Sequence, residues 1–266
     1  MSATGLYLEG LAAAAALGLL TWGLSLKLRN VSIVDSLWSL MFLLQAWIYA
    51  TGAGTAAAHG TRTGLVLVLV TLWALRLSGY ITWRNWGHGE DRRYQAIRAR
   101  NEPGFAIKSL YLVFLLQAVL AWIIALPLFG AMRPAAEAAG PGPIGALDIA
   151  GAALWLLGFL FEAGGDWQLS RFKAQSANQG KVMDRGFWRL TRHPNYFGEF
   201  CTWWGFYLIA LSAGAWWSLP GPLLISVLLM RVSGVTLLEQ DIGERRPEYA
   251  EYIRRTNAFF PGPPRR

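Results

Sequence analysis

The chain has 266 residues, 54% of them apolar and only 15% charged, with a formal net charge of +8 and a mean hydropathy of +0.33. Soluble domains carry roughly 25% charged residues, so this balance excludes an ordinary water-soluble domain and predicts an all-α polytopic membrane bundle. The lone Cys201 excludes an intrachain disulfide, and with His59, His88 and His193 it makes no zinc-ligand spacing.

A membrane-spanning helix needs about 20 mostly apolar residues, and seven stretches meet that need: 6–26, 33–50, 64–83, 109–129, 146–168, 195–213 and 217–238. The first has no Lys or Arg before it and no clear cleavage site after it, so it reads as a span rather than a signal peptide. The second opens on Ile33-Val34-Asp35-Ser36-Leu37-Trp38. There Asp35 is either a helix N-cap or a carboxyl in an apolar cavity, kept protonated as a donor by desolvation. The third carries Arg76 and leads into a basic segment holding Arg84, Arg92, Arg93, Tyr94 and Arg98. Pro and Gly cluster at 134–145 and 261–264, which suits a loop and a tail.

The fifth stretch carries Glu162 and Asp166, four residues apart and so on one helix face. Ionisable residues inside a span are costly and default to functional candidates, the alternative being a solvated helix end. The densest constellation runs from Arg189 through Arg192, His193, Pro194, Asn195 and Tyr196 to Glu199. Pro194 suits the first turn of a helix, and Asn195 and Glu199 then share a face. Arg189, Arg192, His193 and the helix N-terminus suit a phosphate or pyrophosphate; the alternative is an anchor to anionic lipid. Glu9 and Glu239 fall at span ends, where they face headgroups or a ligand. Tyr249 and Tyr252 in the tail either pack over helix ends or line a ligand.

Counting basic residues by segment sets the orientation. The first, third and fifth loops and the tail hold 2, 6, 6 and 6; the second and fourth loops hold one each, Arg62 and Arg133; Arg76 and Arg231 lie within spans. That is 20 against 2, which by the positive-inside rule predicts an outside N-terminus and a cytoplasmic C-terminus. The connections are short, so residues 1–266 read as one integral-membrane domain.

Two motifs carry a family resemblance. Gly165-Asp166-Trp167-Gln168-Leu169-Ser170-Arg171-Phe172-Lys173, followed by the run from Gly186 to Glu199, resembles the bacterial branch of the steroid 5α-reductase family over about residues 30–260. The resemblance implies a seven-helix membrane fold and NADPH-dependent reduction of an activated C=C bond in a lipophilic enone. A 3-oxo-4-ene steroid reduced by hydride transfer to the β-carbon is the type case. Carried over by motif, it makes Asp166, Lys173, Arg192, Asn195, Tyr196 and Glu199 NADPH contacts. Glu162 stands where relatives carry Asn, and Arg76, Arg84, Arg92, Arg93 and Tyr94 align loosely with further contacts. His193, Glu239 and Tyr249 complete the expected cofactor set, and the resemblance implies a substrate-side half at 1–110 and a mainly cofactor-binding half at 144–266. In place of the family's Gln-Glu pair and Tyr, the first half offers Asp35-Ser36 and Trp73, so the carbonyl-polarising role is expected of Asp35, supported by Trp38 or Tyr80. The implied partners are a steroid-like substrate and membrane lipid, with no metal and no nucleic acid, in a bacterial inner membrane with the cofactor side facing the cytoplasm.

Two other readings compete. Isoprenylcysteine carboxyl methyltransferases share the pattern around 192–199 and use S-adenosylmethionine. That cofactor carries no phosphate, however, and three basic segments suit one that does. A non-catalytic lipid-binding protein or transporter accounts for buried charges but not for the paired motifs.

Overall fold

Every regular element of the computed structural model is helical, and the model describes residues 2–52, 60–133, 143–232 and 248–265. Among these residues no strand occurs. Five helices are long and apolar enough to cross a membrane: α1 (Ala3–Leu28), α2 (Ile33–Gly52), α3 (Thr61–Asn85), α5 (Phe105–Ile124) and α7 (Ala146–Lys173). The chain is therefore an all-α polytopic membrane protein. α9 (Pro194–Ser212) has 19 residues, and the apolar run Trp216–Val232 is shorter. The other α-helices among the described residues are α4 (Arg92–Asn101), α6 (Leu126–Met132), α8 (Phe187–Leu190), α10 (Pro220–Val227) and α11 (Tyr249–Arg255).

The chain packs as two compact units, Met1–Gly145 with Ala210–Ser218, and Ala146–Ile209 with Leu219–Arg266. In the first unit, α1 turns a line of mostly small residues inward: Gly10, Ala14, Gly18, Thr21 and Ser25. A Cβ on Gly18 would stand 3.2 Å from the Phe114 carbonyl oxygen of α5, and one on Gly10 would overlap the Tyr49 ring of α2. Small residues are what let helix backbones approach in lipid, where no hydrophobic force drives helices together. α2 and α3 are joined by apolar packing of Phe42 on Trp73, at 5.7 Å between ring centroids, and by the Ser39 hydroxyl donating to the Ala74 carbonyl at 2.9 Å.

Two local features differ from the sequence expectation. The stretch expected as one span at 109–129 ends at Ile124 and restarts as α6, because Pro127 has no N–H for an unbroken helix and instead takes a first-turn position. The basic segment expected as a loop contains α4, N-capped by Asp91, whose side chain accepts from the Arg93 N–H at 2.9 Å.

In the second unit, α7 and α9 run antiparallel with their backbones almost touching. A Cβ on Gly151 would lie 2.6 Å from the Gly205 carbonyl oxygen, and one on Gly198 would lie 2.5 Å from both the Gly158 oxygen and the Glu162 nitrogen. A Cβ on Gly165 would lie 3.1 Å from Pro194. The glycines recur every seven residues on both helices, and larger residues of the same faces back onto glycines opposite: Trp155 onto Gly205, Glu162 onto Gly198, Thr202 onto Gly158, Ile209 onto Gly151.

Candidate functional site

The glycine seam sets the height of the polar residues in the second unit. With Gly165 against Pro194 and Gly158 against Gly198, Glu162 and Asp166 of α7 stand level with the first turns of α9, which carry Asn195 and Glu199. Glu162 and Asp166 are buried, 2% and 5% exposed, while Asn195, Tyr196 and Glu199 are half-buried. Helical geometry places Glu162 and Asn195 on one flank of the seam. Each sits three residues before its helix's next glycine, about 60° round from it. The rotational sense is the same on both, and antiparallel helices bring the same sense to the same side. Asp166 and Glu199 follow on that flank, one turn on from each. The result is a polar row of three carboxyls and an amide in an apolar helix pair, ending toward the exposed Lys173.

The connection between α7 and α9 is tied tightly. The Trp188 indole donates to the Gly165 carbonyl at 2.9 Å, and the Phe187 N–H donates to Gln168 Oε1 at 3.0 Å. Gly186, at φ +59°, permits that turn; its Cβ would meet the Gln168 amide. Arg192, expected as a phosphate contact, directs its guanidinium to the C-terminal segment. Nη1 donates to the carbonyls of Thr256 at 2.5 Å and Ile253 at 3.3 Å, and the Arg192 N–H donates to the Asn257 carbonyl at 2.9 Å. Thr191 adds a hydroxyl bond to the Phe259 carbonyl at 2.8 Å, and Tyr252 donates to the Trp188 carbonyl. The His193 ring is buried and stacks on Tyr196 at 5.6 Å, and Tyr249 is buried edge-on to Tyr252 at 5.4 Å. These residues fasten the last segment over the start of α9. Glu239 lies outside the described residues.

A separate polar cluster sits in the first unit. Asp35 Oδ1 accepts from the Tyr94 hydroxyl at 2.6 Å and Oδ2 from Arg93 Nη2 at 2.7 Å, while Gln117 Nε2 donates to the Tyr94 oxygen at 3.1 Å. This is the bonding of a carboxylate, an acceptor twice over; a neutral donor, as the sequence suggested for Asp35, would carry its proton on one of those oxygens and displace the bond that oxygen accepts. Burial first, then the Asp35 charge and hydrogen bond, push the Tyr94 hydroxyl well above the ordinary phenol range, so it stays protonated. Beside it, Glu90 accepts two bonds from Arg98 and one from the Val31 N–H, all at 2.8 Å. Burial pushes Glu90 up, but the Arg98 and Val31 bonds outweigh it and hold the carboxyl below its usual value. The other sequence-selected residues of the first unit have these settings. Trp38 packs edge-on to Phe42 at 5.1 Å, Tyr80 lies under the Arg84 guanidinium at 5.6 Å, Arg76 is half-buried on α3, and Arg92 is exposed.

Sequence reading passes over Gln117, and it places Arg98 in the basic segment without pairing it with Glu90. An amide in the middle of an apolar span was a visible signal; the Glu90–Arg98 pair, eight apart across a helix cap, left none. Among the described residues no group of three His, Cys, Asp or Glu side chains could hold a metal.

The sequence profile of a family described as a protein of unknown function (DUF1295) matches residues 21–256. An uncharacterized protein of Schizosaccharomyces pombe, C594.04c, is 27% identical over 290 residues, a match that covers 96% of this chain and 79% of that protein. No solved structure matches the chain.

Proposed function

We propose that this chain, which belongs to the DUF1295 family, is a membrane reductase that uses NADPH to reduce an activated C=C bond in a lipophilic enone, a 3-oxo-4-ene steroid being the type substrate. The single observation that carries the reading is the polar row Glu162, Asp166, Asn195 and Glu199, gathered by the glycine seam in an otherwise apolar helix pair. A dinucleotide presents ribose hydroxyls and a carboxamide, which carboxylates and an asparagine amide can hold. The cations needed for its phosphates are at hand on the same unit: Lys173 is exposed seven residues beyond Asp166, about 10 Å along the helix, and Arg189 is exposed on α8. When bound, the cofactor supplies the hydride; the protein's residues supply orientation and a dry site.

The same row gives the rival reading its one supporting observation. Three carboxyls also suit the cationic sulfur and amine of S-adenosylmethionine. A single assay separates the two. The purified protein in mild detergent is heated with NADPH, NADH or S-adenosylmethionine; a ligand at 100 times its dissociation constant adds about 2.7 kcal/mol to the native state. We expect stabilisation by NADPH, lost in Asp166→Asn. A shift with S-adenosylmethionine alone would replace the reductase reading with a methyltransferase.

A further inference from the structure

Among the described residues of the second unit, the Trp155 indole N–H and the Thr202 hydroxyl, on residues 3% and 0% exposed, are buried donors without a hydrogen-bond partner. Both depart from the habit of this molecule. The indoles of Trp22, Trp122, Trp188 and Trp204 donate to Ala106, Tyr7, Gly165 and Ser226. The helix hydroxyls of Thr21, Thr51 and Ser226 bond back to the carbonyl four residues earlier, the usual outlet for a hydroxyl within a span.

The two donors also belong together. Trp155 lies four residues after Gly151 and three before Gly158; Thr202 lies four after Gly198 and three before Gly205. The antiparallel contacts of Gly151 with Gly205 and of Gly158 with Gly198 put them at one height. The sense argument that pairs Glu162 with Asn195 puts them on the same flank of the seam. They therefore continue the polar row inward, Thr202 three residues and about 4.5 Å beyond Glu199, Trp155 seven residues and about 10 Å beyond Glu162.

We infer that Trp155 and Thr202 are paired hydrogen-bond donors for an oxygen of the lipophilic substrate, the enone carbonyl, at the inner end of the polar row. An indole N–H can only donate, so the group it meets must be an acceptor. The hydrocarbon of a bilayer offers such atoms no acceptor, and a ligand oxygen takes that place. The surroundings are apolar and aromatic: Phe159 stacks on Trp155 at 5.1 Å, and Phe206 packs beside Trp203 at 5.6 Å. Two donors on a carbonyl oxygen stabilise the charge that develops there as its conjugated double bond is reduced. The inference rests on the reductase reading for the identity of the substrate, not for the existence of the donors.

The test compares cholest-4-en-3-one with cholest-4-ene, the same skeleton without the oxygen, as stabilisers of the detergent-purified protein. The wild type should be shifted further by the ketone. Thr202→Val and Trp155→Phe should each abolish that difference while retaining the NADPH shift. Thr202→Val without ligand should melt no lower than wild type, because it removes an unmet donor at constant shape. A ketone advantage absent from wild type, or retained in either variant, overturns the inference, as does a lower melting point for ligand-free Thr202→Val. Loss of the NADPH shift in wild type sinks the reductase reading instead and leaves the ketone comparison standing.

Discussion

Asp35 illustrates how a residue's role depends on partners distant in sequence. A carboxylate opening an apolar span is conspicuous, but its donors, Arg93 and Tyr94, come from a helix 58 and 59 positions later. Asp35→Asn leaves Arg93 without half of its pairing, and we expect a loss of about 1–3 kcal/mol in stability, since breaking a partly buried charged hydrogen bond strands its partner. Unchanged melting together with abolished turnover would give Asp35 the carbonyl-polarising role instead. Glu90 carries a pH dependence with a definite sign. Its carboxyl is held below the ordinary value in the folded protein, so the clamp on Val31 and Arg98 is fully present above the unfolded value and is lost as pH falls through the lower, folded one. Hydrogen exchange at the Val31 amide should therefore stay protected into mildly acidic solution and open below it. In Glu90→Gln that protection should be weak and independent of pH.

At the scale of elements, the α7–α9 seam is the feature on which the candidate site depends. The seven-residue glycine repeat is visible in the sequence, at 151, 158 and 165 and again at 198 and 205, but glycine is common in spans for several reasons, and no repeat says which helix answers it. The structure distinguishes them. Gly198→Ala places a methyl against backbone atoms of Gly158 and Glu162, which cannot swing aside; overpacking of this kind costs about 1–3 kcal/mol. Gly79→Ala, with nothing within 4 Å of its Cβ, should instead gain about 0.5–1 kcal/mol from helix propensity. Thermal melts of the two variants check the contrast. Equal effects would mean that the seam is looser than its distances indicate. α4 makes the complementary point. Its sequence is too polar for a span and reads as loop, yet Asp91 is a good cap, and Tyr94, Ile97 and Phe105 contribute to one small apolar cluster with Val31 and Val34.

For the molecule as a whole, the distribution of basic residues predicts opposite sides for the two chain ends. The native Cys201 is 3% exposed, so replacing it with serine clears a background for single cysteines at Ser2 and Arg265. An impermeant maleimide should label the first in intact cells and the second only after the membrane is opened. The reverse pattern would invert the topology and put the polar row's outer end on the other face.

The sequence by itself determined the class of this protein: hydropathy and low charge density impose membrane helices, because a spanning segment in lipid must satisfy its backbone internally. It also determined where chemistry could sit, since a carboxyl within an apolar run is costly enough to stand out. Tertiary structure alone decided which of those residues work together. It joined Asp35 to Tyr94, committed Arg192 to the C-terminal segment, and aligned Trp155 with Thr202 beyond Glu162 and Asn195. Such pairings depend on which backbones approach closely enough to touch, and contacts between residues tens of positions apart leave no periodicity in the chain to read.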